Sequence, residues 1–230
     1  FDYNYQIPKG VLSERFGDNS SITASYFFEK PNNFFYGIEA SYIFGNNVKD
    51  TTLFDNISTE TGAIIGADGY YANVNLMQRG FDSYIFIGYA LHAHNSRTLF
   101  FPYLHPLNFE NLSGVYVSTG IGYLQHKIFI DTKNQNIPQL DEEYKKGYDK
   151  SSGGISTKLS IDYKYYSKKG NLQFSVGVNY TTAFTKNQRE YLFNEMSYTT
   201  EEKTWDQLIG IKFGVIIPVQ RKNQEEFHYY

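Results

Sequence analysis

Five histidines are the first candidates for chemistry in this chain, because imidazole can ligate a metal or act as a general base. His92 and His94 are separated by one residue and His105 follows, but no cluster of carboxylates lies nearby in the sequence to complete a metal site. His126 would be the base of a rim hydrolase, yet no nucleophile-elbow motif accompanies it. We therefore predict no metal, no cofactor and no catalytic residue, and keep a His126-dependent lipid-modifying enzyme as an alternative.

Composition excludes several other classes of protein. The chain has no cysteine, so neither disulfides nor thiolate metal sites can form. Its 21 basic and 24 acidic residues are scattered, which argues against nucleic acid as a partner. No segment reaches the roughly 18 consecutive apolar residues of a membrane helix. The mean hydropathy of -0.48 is that of a soluble protein, but 22 Tyr and 19 Phe are an unusual number and suit membrane interfaces.

The elements that must position any site are strands, because apolar and polar residues alternate along most of the chain. From Trp205 to Val219 the odd positions are apolar except for Gln207, whereas the even positions include Asp206, Gly210 and Lys212. Similar runs recur with the length that a tilted membrane strand needs. The pattern predicts eight strands, at residues 1–7, 21–28, 34–45, 81–91, 115–126, 155–165, 172–184 and 205–219.

A soluble β-sandwich or lipocalin-like barrel is the competing interpretation. With the apolar faces turned inward, the bulky side chains of eight strands would overfill a small barrel, because such an interior holds only side chains. Turned outward, the same residues contact lipid, and the Gly and Ser of the other face relieve crowding within. The sequence therefore predicts an all-β, transmembrane, antiparallel up-and-down β-barrel of about eight strands with a filled polar lumen.

Charged residues on the inward face then need partners, because an unpaired charge removed from water is costly. We predict a lumenal ion-pair network that makes the barrel a plug rather than a channel. Asp206, at the end of the last strand, could instead be solvated at the rim. The six predicted members are Glu39, Lys158, Asp162, Lys164, Asp206 and Lys212.

The connections predict an orientation. Residues 30–33 and 168–171 are short turns, whereas residues 46–80, 129–153 and 187–204 are long and polar. Because outer-membrane barrels have short periplasmic turns and long extracellular loops, both termini are expected in the periplasm. Residues 92–112 break this rule, because they should form a periplasmic turn but are long. We predict one barrel domain, residues 1–219, and a polar periplasmic tail, residues 220–230.

Apolar residues outside the strands are candidate contacts for a partner. One pair lies in the first long loop, where it is expected to pack against the barrel rim or against a partner. Another pair lies in the segment that breaks the loop rule, and the rest lie in the tail. They are Ile64, Ile65, Phe100, Phe101, Phe227, Tyr229 and Tyr230.

Seven short segments are spread along nearly the whole chain: Gln6 to Gly10, Arg15 to Gly17, Tyr42 to Gly45, Asp55 to Thr59, Leu124 to Ile128, Tyr144 to Asp149 and Gly210 to Pro218. Together they resemble small outer-membrane barrels of Bacteroidota. The resemblance implies an accessory, non-enzymatic subunit of a larger outer-membrane complex, with barrel assembly slightly favoured over type IX secretion. Its partners would be that complex, the lipid bilayer and lipopolysaccharide; a stand-alone receptor or adhesin is a further alternative.

Overall fold

Eight strands of the computed structural model close into an antiparallel barrel. The structure describes residues 1–50, 52–92, 113–166, 173–199 and 202–217. Each barrel strand pairs with its neighbours in the chain, and the last strand pairs with the first, which confirms the predicted up-and-down barrel. The barrel strands are β1 (Asp2–Gly10), β2 (Asn19–Glu29), β3 (Phe34–Gly45), β4 (Asn75–His92), β5 (Gly114–Asp131), β6 (Ser152–Tyr166), β7 (Gln173–Asn187) and β10 (Lys203–Val215).

Short elements occupy the connections. A two-stranded hairpin, β8 (Tyr191–Leu192) and β9 (Ser197–Tyr198), precedes β10. The helices are α1 (Leu12–Arg15), a 3-10 turn (Pro138–Leu140) and α2 (Glu142–Tyr148). Within the described ranges, no helix combines the length and the apolar composition needed to cross a bilayer.

The two faces of the wall differ in chemistry as the alternation predicts. On β10 the outward Ile211 and Phe213 are 45% and 56% exposed, whereas the inward Asp206 is 2% exposed. Phe, Tyr, Ile, Leu and Val dominate the outward positions of the other strands. A continuous apolar surface of this extent needs an apolar environment, and a bilayer supplies it.

The connections fall into two sets at opposite ends of the barrel. Four connections lie at one end of the barrel, which we call the loop end. They are residues 11–18, 46–74, 132–151 and 188–202. Both ends of the barrel-forming segment and the turn of residues 30–33 lie at the other, the terminal end. The predicted turn at 168–171, the tail and nearly all of residues 92–112 lie outside the described residues.

Strands β4 and β5 extend beyond their predicted limits at the loop end. The prediction began β4 at residue 81 and ended β5 at 126, whereas the strands begin at Asn75 and end at Asp131. In this extension the inward residues Ile128 and Ile130 are apolar and buried. The contrast between the two faces therefore disappears where the strands leave the polar lumen, and alternation no longer marks them.

Candidate functional site

Lys158 on β6 is the centre of the charged lumen. Its Nζ lies 2.8 Å from Oε1 of Glu39 on β3 and 3.6 Å from Oδ1 of Asp82 on β4. It also lies 4.2 Å from the centroid of the Tyr84 ring. All three charged side chains are nearly excluded from solvent. The cluster joins β3, β4 and β6 across the interior, so it braces the barrel against changes in cross-section.

Lys212 and Asp162 form a second pair, with 2.9 Å between Nζ and Oδ2. The pair connects β10 to β6 from opposite sides of β7. Gly177 on β7 makes room for it, since a Cβ there would lie 2.0 Å from Oδ1 of Asp162. Lys158 and Lys212 therefore each form an ion pair with one of the predicted lumenal carboxylates.

Lys164 departs from the predicted ion-pair network. No described carboxylate forms an ion pair with it; its Nζ lies over the rings of Phe27 at 3.7 Å and Tyr116 at 4.2 Å. The ammonium is thus stabilised by aromatic faces, an interaction that strengthens when water is excluded. Lys164 is buried in the lumen, but the ion pair of Asp162, two residues away on the same face, is with Lys212 and not with Lys164.

Asp206 belongs to a separate group near the loop end. Its Oδ2 lies 2.8 Å from Nε2 of His126 and accepts a hydrogen bond of 2.6 Å from Thr185 Oγ1. His126 and Asp206 are 1% and 2% exposed, and the ring of Phe16 packs edge-on against the imidazole. Asp206 is therefore neither solvated at the rim nor a partner of the lumenal lysines.

Asp82 was missed by the sequence analysis, although it is fully buried beside Lys158. The signal that could have found Asp82 is the alternation of β4, in which Asp82 and Tyr84 occupy inward positions. The run 81–91 alternates poorly because its outward positions include Ser83 and its inward ones include Tyr84 and Phe86. Extending the strict register from Phe81 would have placed Asp82 in the lumen.

An uncharged polar layer fills the barrel between β1, β7 and β10. Asn4, Gln6 and Asn179 are buried there, and each has a side-chain atom without a hydrogen-bond partner among the described groups. Gly210 lets these amides approach, because a Cβ there would lie 2.4 Å from Oδ1 of Asn4 and 2.6 Å from Oδ1 of Asn179. Amides at this density suit bridging water, as is usual for buried polar groups.

The lumen is closed at the loop end by an apolar core, which we call the cap core. Strand residues at the top of the barrel contribute its floor, and α1, α2 and the long loops contribute its roof. Burial of this many apolar side chains orders the loops relative to the barrel. Its members are Leu12, Phe16, Ile43, Leu53, Ile64, Leu124, Ile128, Ile130, Ile137, Leu140, Tyr148, Ala183 and Leu208.

Ion pairs fasten the loops above the cap core. Arg189 binds both carboxylate oxygens of Asp149, and this hydrogen bonding raises the pKa of Arg189. Lys150 Nζ lies 2.7 Å from Oδ2 of Asp50 in the first long loop. Arg15 donates to the Lys150 carbonyl at 2.8 Å. Residues from all four loop-end connections are thus linked.

The Asp50 pair predicts a response of the cap to acid. Burial raises the pKa of Asp50, but the hydrogen bond and charge of Lys150 outweigh burial, so its pKa lies below the ordinary value of 3.8. Because the pKa of Asp50 is lower in the folded loop, the ion pair stabilises that loop at pH values above 3.8. This stabilisation is lost as the pH falls through the folded pKa. We expect the rate at which pepsin cleaves residues 46–74 to increase as the pH decreases from 5 to about 2. This increase should exceed the change in the activity of pepsin itself over the same range.

Asp50→Asn is the control for this experiment. The variant cannot ionise at residue 50, so the extra acid dependence of cleavage should disappear and the loop should already be more sensitive at pH 5. A wild-type rate that follows pepsin activity alone would contradict the prediction.

The candidate partner residues fall in different places. Ile64 is 6% exposed and belongs to the cap core, so it is not available as a surface residue, whereas Ile65 is 42% exposed. Phe100, Phe101, Phe227, Tyr229 and Tyr230 lie outside the described residues. The Ile64 carbonyl accepts a hydrogen bond from the Ala72 amide at 2.8 Å, and the Ile64 side chain packs in the cap core.

A cavity of about 550 Å³ lies in the lumen toward the terminal end. Lys158, Lys164 and Lys212 line it together with Asp162 and Glu39. Neither this cavity nor any other described part of the chain gathers three His, Asp or Glu side chains in a metal-binding arrangement.

These observations define the class of protein: a transmembrane β-barrel of the outer-membrane type, with an apolar wall, a polar lumen that holds a cavity, and a cap that closes the lumen at the loop end. No protein-family model matches the chain, and no curated protein matches it either. Among solved structures the chain is similar to Neisserial surface protein A. The identity is 11% and the TM-score is 0.40, over 93% of this chain and 92% of that one.

Proposed function

We propose that the chain is a non-enzymatic subunit of a larger outer-membrane protein complex, with its termini in the periplasm and its cap outside the cell. Barrel assembly is favoured slightly over type IX secretion as the role of that complex. The resemblance of the sequence to small Bacteroidota outer-membrane barrels supports this choice. The observation that carries the proposal is the cap, which closes the lumen and presents a fixed aromatic surface.

That surface, which we call the cap aromatic patch, consists of Tyr144, Tyr191, Phe193 and Tyr198. Tyr144 and Tyr198 are 54% and 79% exposed, yet both are held in place by neighbouring rings. Exposed aromatic residues on an ordered surface are typical of protein interfaces, because they bury a large area at little cost in conformational entropy. The cap core supplies the required rigidity from below.

Burial of His126 argues against the enzymatic alternative. An acyl-transfer site needs its base within reach of substrate, and His126 lies beneath Phe16 with Nε2 against Asp206. The lumenal ion pairs and the cap core together argue against a pore. Function is therefore assigned to the outer surfaces of the barrel.

Co-purification tests the proposal. A tagged chain solubilised from native membranes in mild detergent should recover one outer-membrane complex in fixed proportion, and its subunits decide between barrel assembly and type IX secretion. Tyr144→Ser with Tyr198→Ser should reduce that recovery at least tenfold. Tyr70→Ser with Tyr71→Ser is the matched control, since those tyrosines are 76% and 74% exposed on the cap but outside the patch. Recovery of wild type as a free monomer would refute the proposal.

A further inference from the structure

Outward-facing basic residues form a group at the loop end of the wall. Arg79 on β4 pairs in register with Lys127 on β5, and Lys186 on β7 pairs with Lys203 on β10. All four lie at positions that alternate with inward residues, so their side chains face away from the lumen. No described carboxylate forms an ion pair with any of them. We call these four residues the basic wall patch.

The pairing itself is unfavourable. Side chains directly opposite on antiparallel strands have Cβ atoms about 5 Å apart, and like charges at such positions are destabilising. The barrel has two such pairs on neighbouring parts of one wall. A bound anion between the members of each pair would convert this repulsion into attraction.

The residues below and between the pairs favour a lipid as the source of that anion. Directly below Lys186 and Lys203, Phe184 and Trp205 stack at 6.0 Å between ring centroids, at the start of the apolar band. Aromatic rings of this kind mark the depth of lipid headgroups. Arg79 lies over the ring of Phe129 at 5.8 Å and donates to the Gln78 carbonyl at 2.8 Å, so its guanidinium is held against the outer wall on the loop-end side of Lys127.

Between the two pairs lies a neutral polar surface rather than an apolar one. Gln125 donates to Gln188 Oε1 at 2.6 Å, and Gln188 donates to Tyr123 Oη at 2.7 Å. Gly153 leaves the space for them, since a Cβ there would lie 2.5 Å from Tyr123 Oη. Strand spacing and rise put Lys127 and Lys186 about 12 Å apart, with amides and a hydroxyl available to sugar hydroxyls between them.

We propose that the basic wall patch binds a glycolipid with a phosphate at each end of its sugar headgroup, one phosphate at each basic pair. Arg and Lys are the usual ligands of phosphate oxygens, and the apolar wall below would contact the acyl chains. This inference rests on the membrane-spanning barrel and not on membership of a complex, so the co-purification result does not affect it.

Native mass spectrometry of the purified barrel with defined lipids tests the site. Diphosphoryl lipid A should bind wild type at least tenfold more tightly than a variant carrying Arg79→Gln, Lys127→Gln, Lys186→Gln and Lys203→Gln. Monophosphoryl lipid A should be intermediate for wild type, and phosphatidylglycerol should not distinguish the two proteins. The control carries Lys30→Gln, Lys133→Gln, Lys145→Gln and Lys146→Gln, which make the same change in charge elsewhere, and should bind as wild type does.

Thermal unfolding gives a second readout that a merely structural role would not produce. Without lipid the patch variant should unfold at the same temperature as wild type or a higher one, because the like-charge pairs are gone. With diphosphoryl lipid A the order should reverse. Equal lipid binding by the patch and control variants, or equal retention of phosphatidylglycerol and diphosphoryl lipid A by wild type, would overturn the proposal.

Discussion

Replacing Lys158 by methionine should destabilise the barrel by about 3–5 kcal/mol, the usual cost of removing one member of a buried ion pair. The side chain is 8% exposed, and its removal leaves the nearly buried carboxylates of Glu39 and Asp82 without their shared cation. Two like charges then occupy the space that one cation had neutralised. The free energy of unfolding in urea, followed by the heat-modifiable mobility of the folded barrel on gels, measures the loss.

A double variant separates the charge from the side-chain volume. Lys158→Met with Glu39→Gln restores the net charge of the cluster, so it should be more stable than Lys158→Met alone. Lys146→Met removes an exposed lysine of α2 and should change stability little. If Lys158→Met unfolds within about 1 kcal/mol of wild type, the lumenal cluster does not brace the barrel as inferred.

Alternation could predict the barrel because the two sides of its wall face different environments. Lipid outside and a polar lumen inside impose opposite chemistry on successive residues, as on β10, where Ile211 and Phe213 flank the inward Lys212. The same contrast placed Glu39, Lys158, Asp162 and Lys212 in the lumen. Where that contrast ends, the prediction failed, as at the loop-end extensions of β4 and β5.

Partners within the lumen could not be predicted from alternation, because alternation gives a side chain its face but not its height or its neighbour. Strand tilt and register bring Lys212 to Asp162 and leave Lys164 among aromatic rings. The pairing of Asp206 with His126 depends on β10 and β5, which are not adjacent in the sheet. Such contacts across the lumen require the closed barrel.

The cap core was also beyond sequence analysis, because its residues come from separate loops without a regular period. Leu53, Ile137 and Tyr148 lie in the long polar connections of the sequence, where no alternation marks them. Their common floor, formed by Ile128 and Leu208 among others, exists only after the strands have closed. The cap therefore depends on the barrel for its formation, whereas the barrel is recognisable without the cap.

Phe16 gives the sharpest test of that dependence. Its ring is fully buried, and its centroid lies 5.6 Å from that of the His126 imidazole. The Arg15 guanidinium carbon lies 5.5 Å from the same centroid. Phe16→Ala should destabilise the cap by about 3–5 kcal/mol, because it removes a large side chain and leaves a cavity that the strands cannot fill by collapsing. The lumenal ion pairs lie below and should keep the barrel closed.

The expected result is therefore local opening. Hydrogen exchange in residues 46–74 and 132–151 should accelerate strongly, while the amides of the lower strands stay protected. His126 should become reactive to diethyl pyrocarbonate, which mass spectrometry can assign to that residue. Tyr70→Ala, which truncates an exposed aromatic residue of the same cap, should change neither. Uniform acceleration of exchange in all strands would mean that cap and barrel unfold together, and that the cap core is part of the barrel's own stability.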